Sequence, residues 1–145
     1  MGALAYIGTF VLHGMEDSLE DLLAHPQGFG GARTARLLVA GLGRRGWGLS
    51  PVKPEVWGWQ CDLAADLEGA KLKVRLGVSP ANAQPFEPAS HDGCWLVQLH
   101  LRSPGVLPRT RALRAAAFAA CWEDLKGALA HVGAAEVMWD LPLAA

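Results

Sequence analysis

The chain is short of cysteine, has a single tyrosine, carries almost no imbalance of charge and contains no apolar run long enough to cross a bilayer. Each shortage removes a class of protein. Three cysteines, Cys61, Cys94 and Cys121, cannot all pair within one chain, and none of their separations is the C-x-x-C of a zinc site or redox motif. Reduced, buried thiols in a cytoplasm are therefore expected. A formal net charge of -1 supplies no global field for nucleic acid or an anionic membrane, so neither is expected as a partner. The opening MGALAYIGTFVLHG is apolar but follows no positively charged segment and is too short to span a bilayer. Neither a secretory leader nor a membrane helix is expected, and the protein reads as cytoplasmic. The five histidines, His13, His25, His91, His100 and His131, form no i, i+4 pair and no H-E-x-x-H. Scattered surface histidines account for them, with no metal and no cofactor.

What is present is ample core material. A hydrophobic fraction of 51% over 145 residues is enough for one buried core, and no repeat, charge block or linker divides the chain, so residues 1–145 read as a single domain. The run from Leu4 to Leu12, rich in β-branched and aromatic residues, favours a strand with both faces covered, with a helix of poor quality as the equal alternative. MEDSLEDLLA predicts a short helix, its acids clustered early. ARTARLLVAGLGRR, residues 32–45, places Ala35, Leu38 and Leu42 on one stripe, ends on two arginines and stops at Gly46, which predicts a second helix. Pro51 and Pro54 then forbid a continuing helix and mark a turn or edge segment.

The most informative segment is WGWQCDLAADLEGAKLKVRLGV. Trp57, Trp59, Cys61 and Leu63 alternate onto one face, as do Leu72, Val74, Leu76 and Val78, which predicts a β-hairpin. With Glu68-Gly69 as its turn, Leu63 pairs with Val74 and Cys61 with Leu76. The same register sets Asp62 opposite Arg75 and Asp66 opposite Lys71. Residues 79–93, rich in proline and small polar residues, read as a long surface loop. CWLVQLHLRS alternates as a further strand, residues 110–132 carry Phe118, Trp122, Leu125, Leu129 and Val132 at helical spacing, and EVMWDL predicts a closing strand.

Several motifs invite a chemical reading. GLGRRG, residues 41–46, matches G-x-G-x-x-G, but a dinucleotide turn must open a helix, and the prolines that follow leave no room for one. The end of an amphipathic helix is the simpler account. HDGC, residues 91–94, places a thiol near an imidazole, yet adjacency along a chain does not establish adjacency in space. Lys71, Lys73 and Arg75 face the acids across the hairpin. Arg102, Arg109, Arg111 and Arg114 gather around the start of the long helix, where cations oppose its dipole and could welcome an acidic partner or a phosphate. Trp57 and Trp59 default to the core, with a ligand platform as the sharper alternative. Gly58 between them leaves room for another backbone to approach.

A helix closing on Arg44, Arg45, Gly46 and Trp47, a proline-broken link, and the E-x-W-G-W of Glu55, Trp57, Gly58 and Trp59 opening a hairpin resemble a group of small bacterial proteins of no assigned activity. The resemblance covers roughly residues 30 to 80, implies only a structural signature, and carries no catalytic residue over.

The expected architecture is a two-layer α+β domain, an antiparallel or mixed sheet of four to six strands with two main helices on one face and the other face open to solvent. The expected function is a binding or interaction module, an immunity-like or regulatory partner of another protein, acting through the open face or the 79–93 loop; a homo-oligomer is compatible with this. The surface to be searched comprises Trp57, Trp59, His91, His100, Arg102, Arg109, Arg111 and Arg114, with no residue assigned to catalysis. The alternative is a small-molecule binder or hydrolase-type enzyme with a cleft near Glu55, Trp57 and the His91–Cys94 loop.

Overall fold

A computed structural model describes residues 3–67, 70–81, 93–140 and 143–144. Eight strand segments form one sheet: β1 (Ala3–Val11), β2 (Gly48–Leu49), β3 (Lys53–Glu55), β4 (Gly58–Leu67), β5 (Ala70–Pro80), β6 (Cys94–Arg102), β7 (Ala135–Trp139) and β8 (Leu143–Ala144). Every pairing is antiparallel. Because β2 and β3 both pair with β4, and β7 and β8 both pair with β1, the segments occupy six positions, in the order β2/β3, β4, β5, β6, β1, β7/β8. Both outer positions are interrupted strands. Pro54 sits in one of them, where a missing N–H costs no ladder bond.

Three helices complete the described residues: α1 (Leu19–Ala24), α2 (Ala32–Arg44) and α3 (Pro108–His131). The two long helices cover one face of the sheet. Leu38, Val39 and Leu42 of α2 and Phe118, Cys121, Leu125 and Leu129 of α3 share one core with Tyr6, Phe10, Trp59, Leu63, Val74, Leu76, Trp95 and Leu99. The helices meet where a Cβ on Gly41 would lie 2.9 Å from the Ala128 Cβ, so the glycine sets how closely they approach. The first turn of α2 has no side-chain cap of its own. The Asp17 carboxylate supplies one, accepting from the backbone N–H of Gly31 at 2.6 Å and of Arg33 at 2.7 Å. The GLGRRG residues close α2 and do not open a helix: Gly41 and Gly43 lie within it, and Gly46 follows with φ 97°.

The expected hairpin register holds. Cys61 pairs with Leu76, Leu63 with Val74, Asp62 with Arg75 and Asp66 with Lys71; the turn itself, 68–69, lies outside the described residues. Three expectations need correction. Ser79 and Pro80 belong to β5, not to a loop, because they pair with Leu96 and Trp95, and the Ala81 N–H continues the ladder to the Cys94 carbonyl. The rest of the expected loop, 82–92, with His91, lies outside the described residues. The long helix begins at Pro108, where proline is tolerated in the first turn. Trp57 does not share the core face of Trp59: Glu55 pairs with Gly58, so Val56 and Trp57 form the turn between β3 and β4, and the alternation that governs β4 does not reach back through them.

Histidine 25 is a further correction, being 3% exposed instead of on the surface. Its Nδ1 accepts from the backbone N–H of Gln27 at 3.0 Å and Phe29 at 3.2 Å, which leaves Nε2 to donate to the Gly58 carbonyl at 3.1 Å. The ring thus ties the loop before α2 to the start of β4. Trp59 strengthens the same junction, donating from Nε1 to the Phe29 carbonyl at 2.9 Å.

Candidate functional site

Opposite the helices, the sheet presents a polar face. Alternation sends Gln60, Asp62, Ala64 and Asp66 of β4, Lys71, Lys73, Arg75, Gly77 and Ser79 of β5, and Leu96, Gln98, His100 and Arg102 of β6 to this side. The core residues between them all point to the helices. A strand has no choice about this once its apolar set is buried, so the hydrophobic pattern that fixes the core also fixes which charges gather on the open face.

Trp57 reaches this face from its turn. A Cβ built on Gly77 would lie 2.4 Å from the Trp57 Cη2, so the benzo edge of the indole rests directly on the glycine Cα. Gly77 pairs with Gln60 on one side and Gln98 on the other, in the middle of the sheet. A glycine in a central strand forfeits side-chain packing, and here the vacated place is filled by a ring from another segment. Trp57 remains 43% exposed, which leaves much of the indole available to a partner.

Two hollows flank the pair Arg75 and Arg102. One, of about 420 Å³, is lined by Glu55, Trp57, Gln60, Arg75, Gly77, Gln98, His100 and Arg102. The other, of about 490 Å³, includes Ser50, Asp62, Lys71 and Lys73 along with the same two arginines. Arg75 donates from Nε to Asp62 at 3.1 Å, closing the ion pair that the register foresees. Asp66 stands opposite Lys71, but among the described residues this second pair does not close to ion-pair distance. Lys73 is the direct cross-strand partner of Arg102, and both are exposed. His100 is the cross-strand partner of Arg75, and its Nε2 donates to the Gln98 Oε1 at 3.0 Å. Burial, then the neighbouring Arg75 and Arg102, lower its pKa below the ordinary histidine value.

Ser50 fastens the far rim. Its backbone N–H donates to the Asp62 carbonyl at 2.9 Å, its Oγ accepts from the Asp62 N–H at 2.8 Å, and the Cys61 thiol donates to its carbonyl at 3.0 Å. The carboxylate that faces Arg75 therefore hangs from a backbone position held on both sides.

Of the residues expected at the site, Trp57, His100 and Arg102 come together here, joined by Glu55. Trp59 does not: at 2% exposed it is core. The four arginines do not form one patch, since Arg102 closes β6 while Arg109, Arg111 and Arg114 belong to α3 and line neither hollow. Arg114 turns back to the Ser103 carbonyl. Glu55 and Trp57 share their hollow with His100 and not with Cys94, which opens β6 in register with Val11. Gln60, Gln98 and Gly77 join the site without a motif of their own; the one signal in the sequence is a glycine inside a strand whose face otherwise carries polar and charged residues.

Among the described residues, no three of His, Cys, Asp and Glu gather as a metal-binding group. No described helix is long and apolar enough to cross a membrane. No family model, curated protein or solved structure matches the chain, which leaves the chemistry of this open face as the guide to its use.

Proposed function

We propose that the chain is an interaction module, of a regulatory or immunity-like kind, that holds another protein against the open face of its sheet. One observation carries this reading: a large, half-exposed indole is seated on a glycine in the middle of that face, beside two arginines that line hollows on either side. Tryptophan and arginine are the residues that most often anchor protein interfaces. Trp59 and Trp95, by contrast, are fully buried beneath the sheet and offer no ring to a partner.

A photo-crosslinking amino acid placed at Gln98, and separately at the exposed Ala40 and Ala120 of the helical layer, tests the surface. In the native cell, Gln98 is expected to yield one discrete protein adduct that Trp57→Ala abolishes. Adducts arising only from the helical positions would remove the open face as the docking surface.

A second reading, a small-molecule site, draws on the hollow that sets Glu55 and His100 among its lining residues, where a carboxylate and an imidazole could serve as acid and base. It expects a metabolite to copurify with the chain and to protect it against heating. A metabolite-free preparation whose melting is unmoved by metabolite extracts counts against it.

A further inference from the structure

We infer that the partner presents an extended acidic segment to the open face, a carboxylate lodging between Lys73 and Arg102 and an apolar side chain resting on Trp57. This rests on reading that face as the docking surface.

The argument begins with the charges that the fold leaves over. The face carries five cations, Lys53, Lys71, Lys73, Arg75 and Arg102, and three acids, Glu55, Asp62 and Asp66. Asp62 is spent on Arg75, and Asp66 stands opposite Lys71. Lys53 and Glu55 stand together on the outer strand β3, and Lys73 and Arg102 remain, directly opposed across β5 and β6. Both are exposed, and neither forms an ion pair among the described residues. Like charges facing each other in neighbouring strands destabilise a sheet. A carboxylate between them converts that repulsion into two charge-assisted contacts, and the arginine fork can take it in bidentate fashion. Both side chains, with Arg75, line the larger hollow, so the place for the anion is concave.

Geometry then sets the spacing of the ligand. Lys73 and Gly77, the seat of Trp57, are four residues apart on β5 and face the same side, about 13 Å at strand rise. An extended peptide matches this with an acid and an apolar residue four positions apart, both on the side that meets the sheet. A nucleic acid fits poorly, because Glu55, Asp62 and Asp66 stand on the same face and would meet a continuous run of phosphates. A peptide can place its carboxylates singly.

The test titrates the isotope-labelled full chain with capped, threonine-rich peptides bearing a single glutamate and, four positions on, a phenylalanine. A glutamine version and a single-stranded oligothymidine serve as comparisons. The glutamate peptide is expected to bind at least about tenfold more tightly than the glutamine one, shifting amides of β5 and β6 and the Trp57 indole. Lys73→Gln with Arg102→Gln should erase that preference while leaving the melting temperature unchanged or higher, a combination that a merely structural role for these side chains would not give. Trp57→Ala should weaken both peptides and keep the preference.

Equal binding of the two peptides, a preference that survives the double substitution, displacement of the peptide by the oligothymidine, or no peptide binding at all would each overturn the inference. If Gln98 still yields its Trp57-dependent adduct in that event, the docking surface stands and only its acidic occupant falls. Loss of the adduct takes both.

Discussion

The edge of the Trp57 indole lies on the Cα of Gly77, close enough that even a methyl group on that glycine would collide with it. Gly77→Ala should therefore expel the ring from the open face while leaving the core, on the other side of β5, in place. The expected result is a shift of the Trp57 indole N–H resonance alone, with the five other indoles unmoved and stability lowered by no more than about 1–3 kcal/mol. Movement of the Trp59 or Trp95 resonance instead would mean that the collision is relieved through the backbone.

His25 satisfies three backbone groups at once, two donors through Nδ1 and one carbonyl through Nε2. His25→Ala strands them in a buried place, and each orphaned group costs about 1–3 kcal/mol. Equilibrium denaturation should show a loss of roughly 2–4 kcal/mol, given partial rescue by water. A loss within about 0.5 kcal/mol would contradict the role assigned to the ring.

His100 gives the open face a dependence on pH. Its folded pKa lies below the ordinary value, through burial first and then Arg75 and Arg102. A base depressed in this way takes up its proton more readily when unfolded, so its contribution to stability is intact above the ordinary histidine range and is lost as pH falls from there through the folded value. An NMR titration of the imidazole should show Arg102→Gln moving that value back up. No movement would separate His100 from the arginine. An anion seated beside Arg102 should have the same effect, so that docking takes up a proton and strengthens as neutral solutions are mildly acidified.

Cys61 and Cys121 are buried free thiols, and burial pushes the Cys121 thiol up to about 12 and raises that of Cys61. Since the thiolate is the reactive form, neither should be alkylated in the native state at neutral pH. Both should label at the rate of global unfolding, which mass spectrometry of peptide fragments can follow. Rapid native labelling of Cys121 would contradict its burial between α3 and the sheet.

Much of this was readable in advance where two independent signals agreed. The β4–β5 register was fixed once by the parity of Cys61, Leu63, Val74 and Leu76 and again by Asp62 and Arg75, so a slip of one residue would have violated both. Trp57 does not follow the alternation because a turn intervenes that has neither glycine nor asparagine at its two central positions and is marked only by Gly58 closing it. Its neighbour Val56 and Trp57 itself take ordinary negative φ, and only the Glu55–Gly58 pairing reveals the reversal. His25 was invisible for a different reason: its partner Gly58 is 33 residues away, and no periodicity encodes such a contact. The arginines near α3 failed through topology, since a short link after Arg102 carries the chain from the sheet to the helical layer.

β1 stands between β6 and β7, though it precedes both by most of the sequence. During synthesis it must therefore wait, with apolar Tyr6 and Phe10 unsheltered, until residues 94–139 have left the ribosome. Closure of the sheet is thus one of the last events in folding, and this small protein should fold slowly for its size while the slot beside β6 stands vacant.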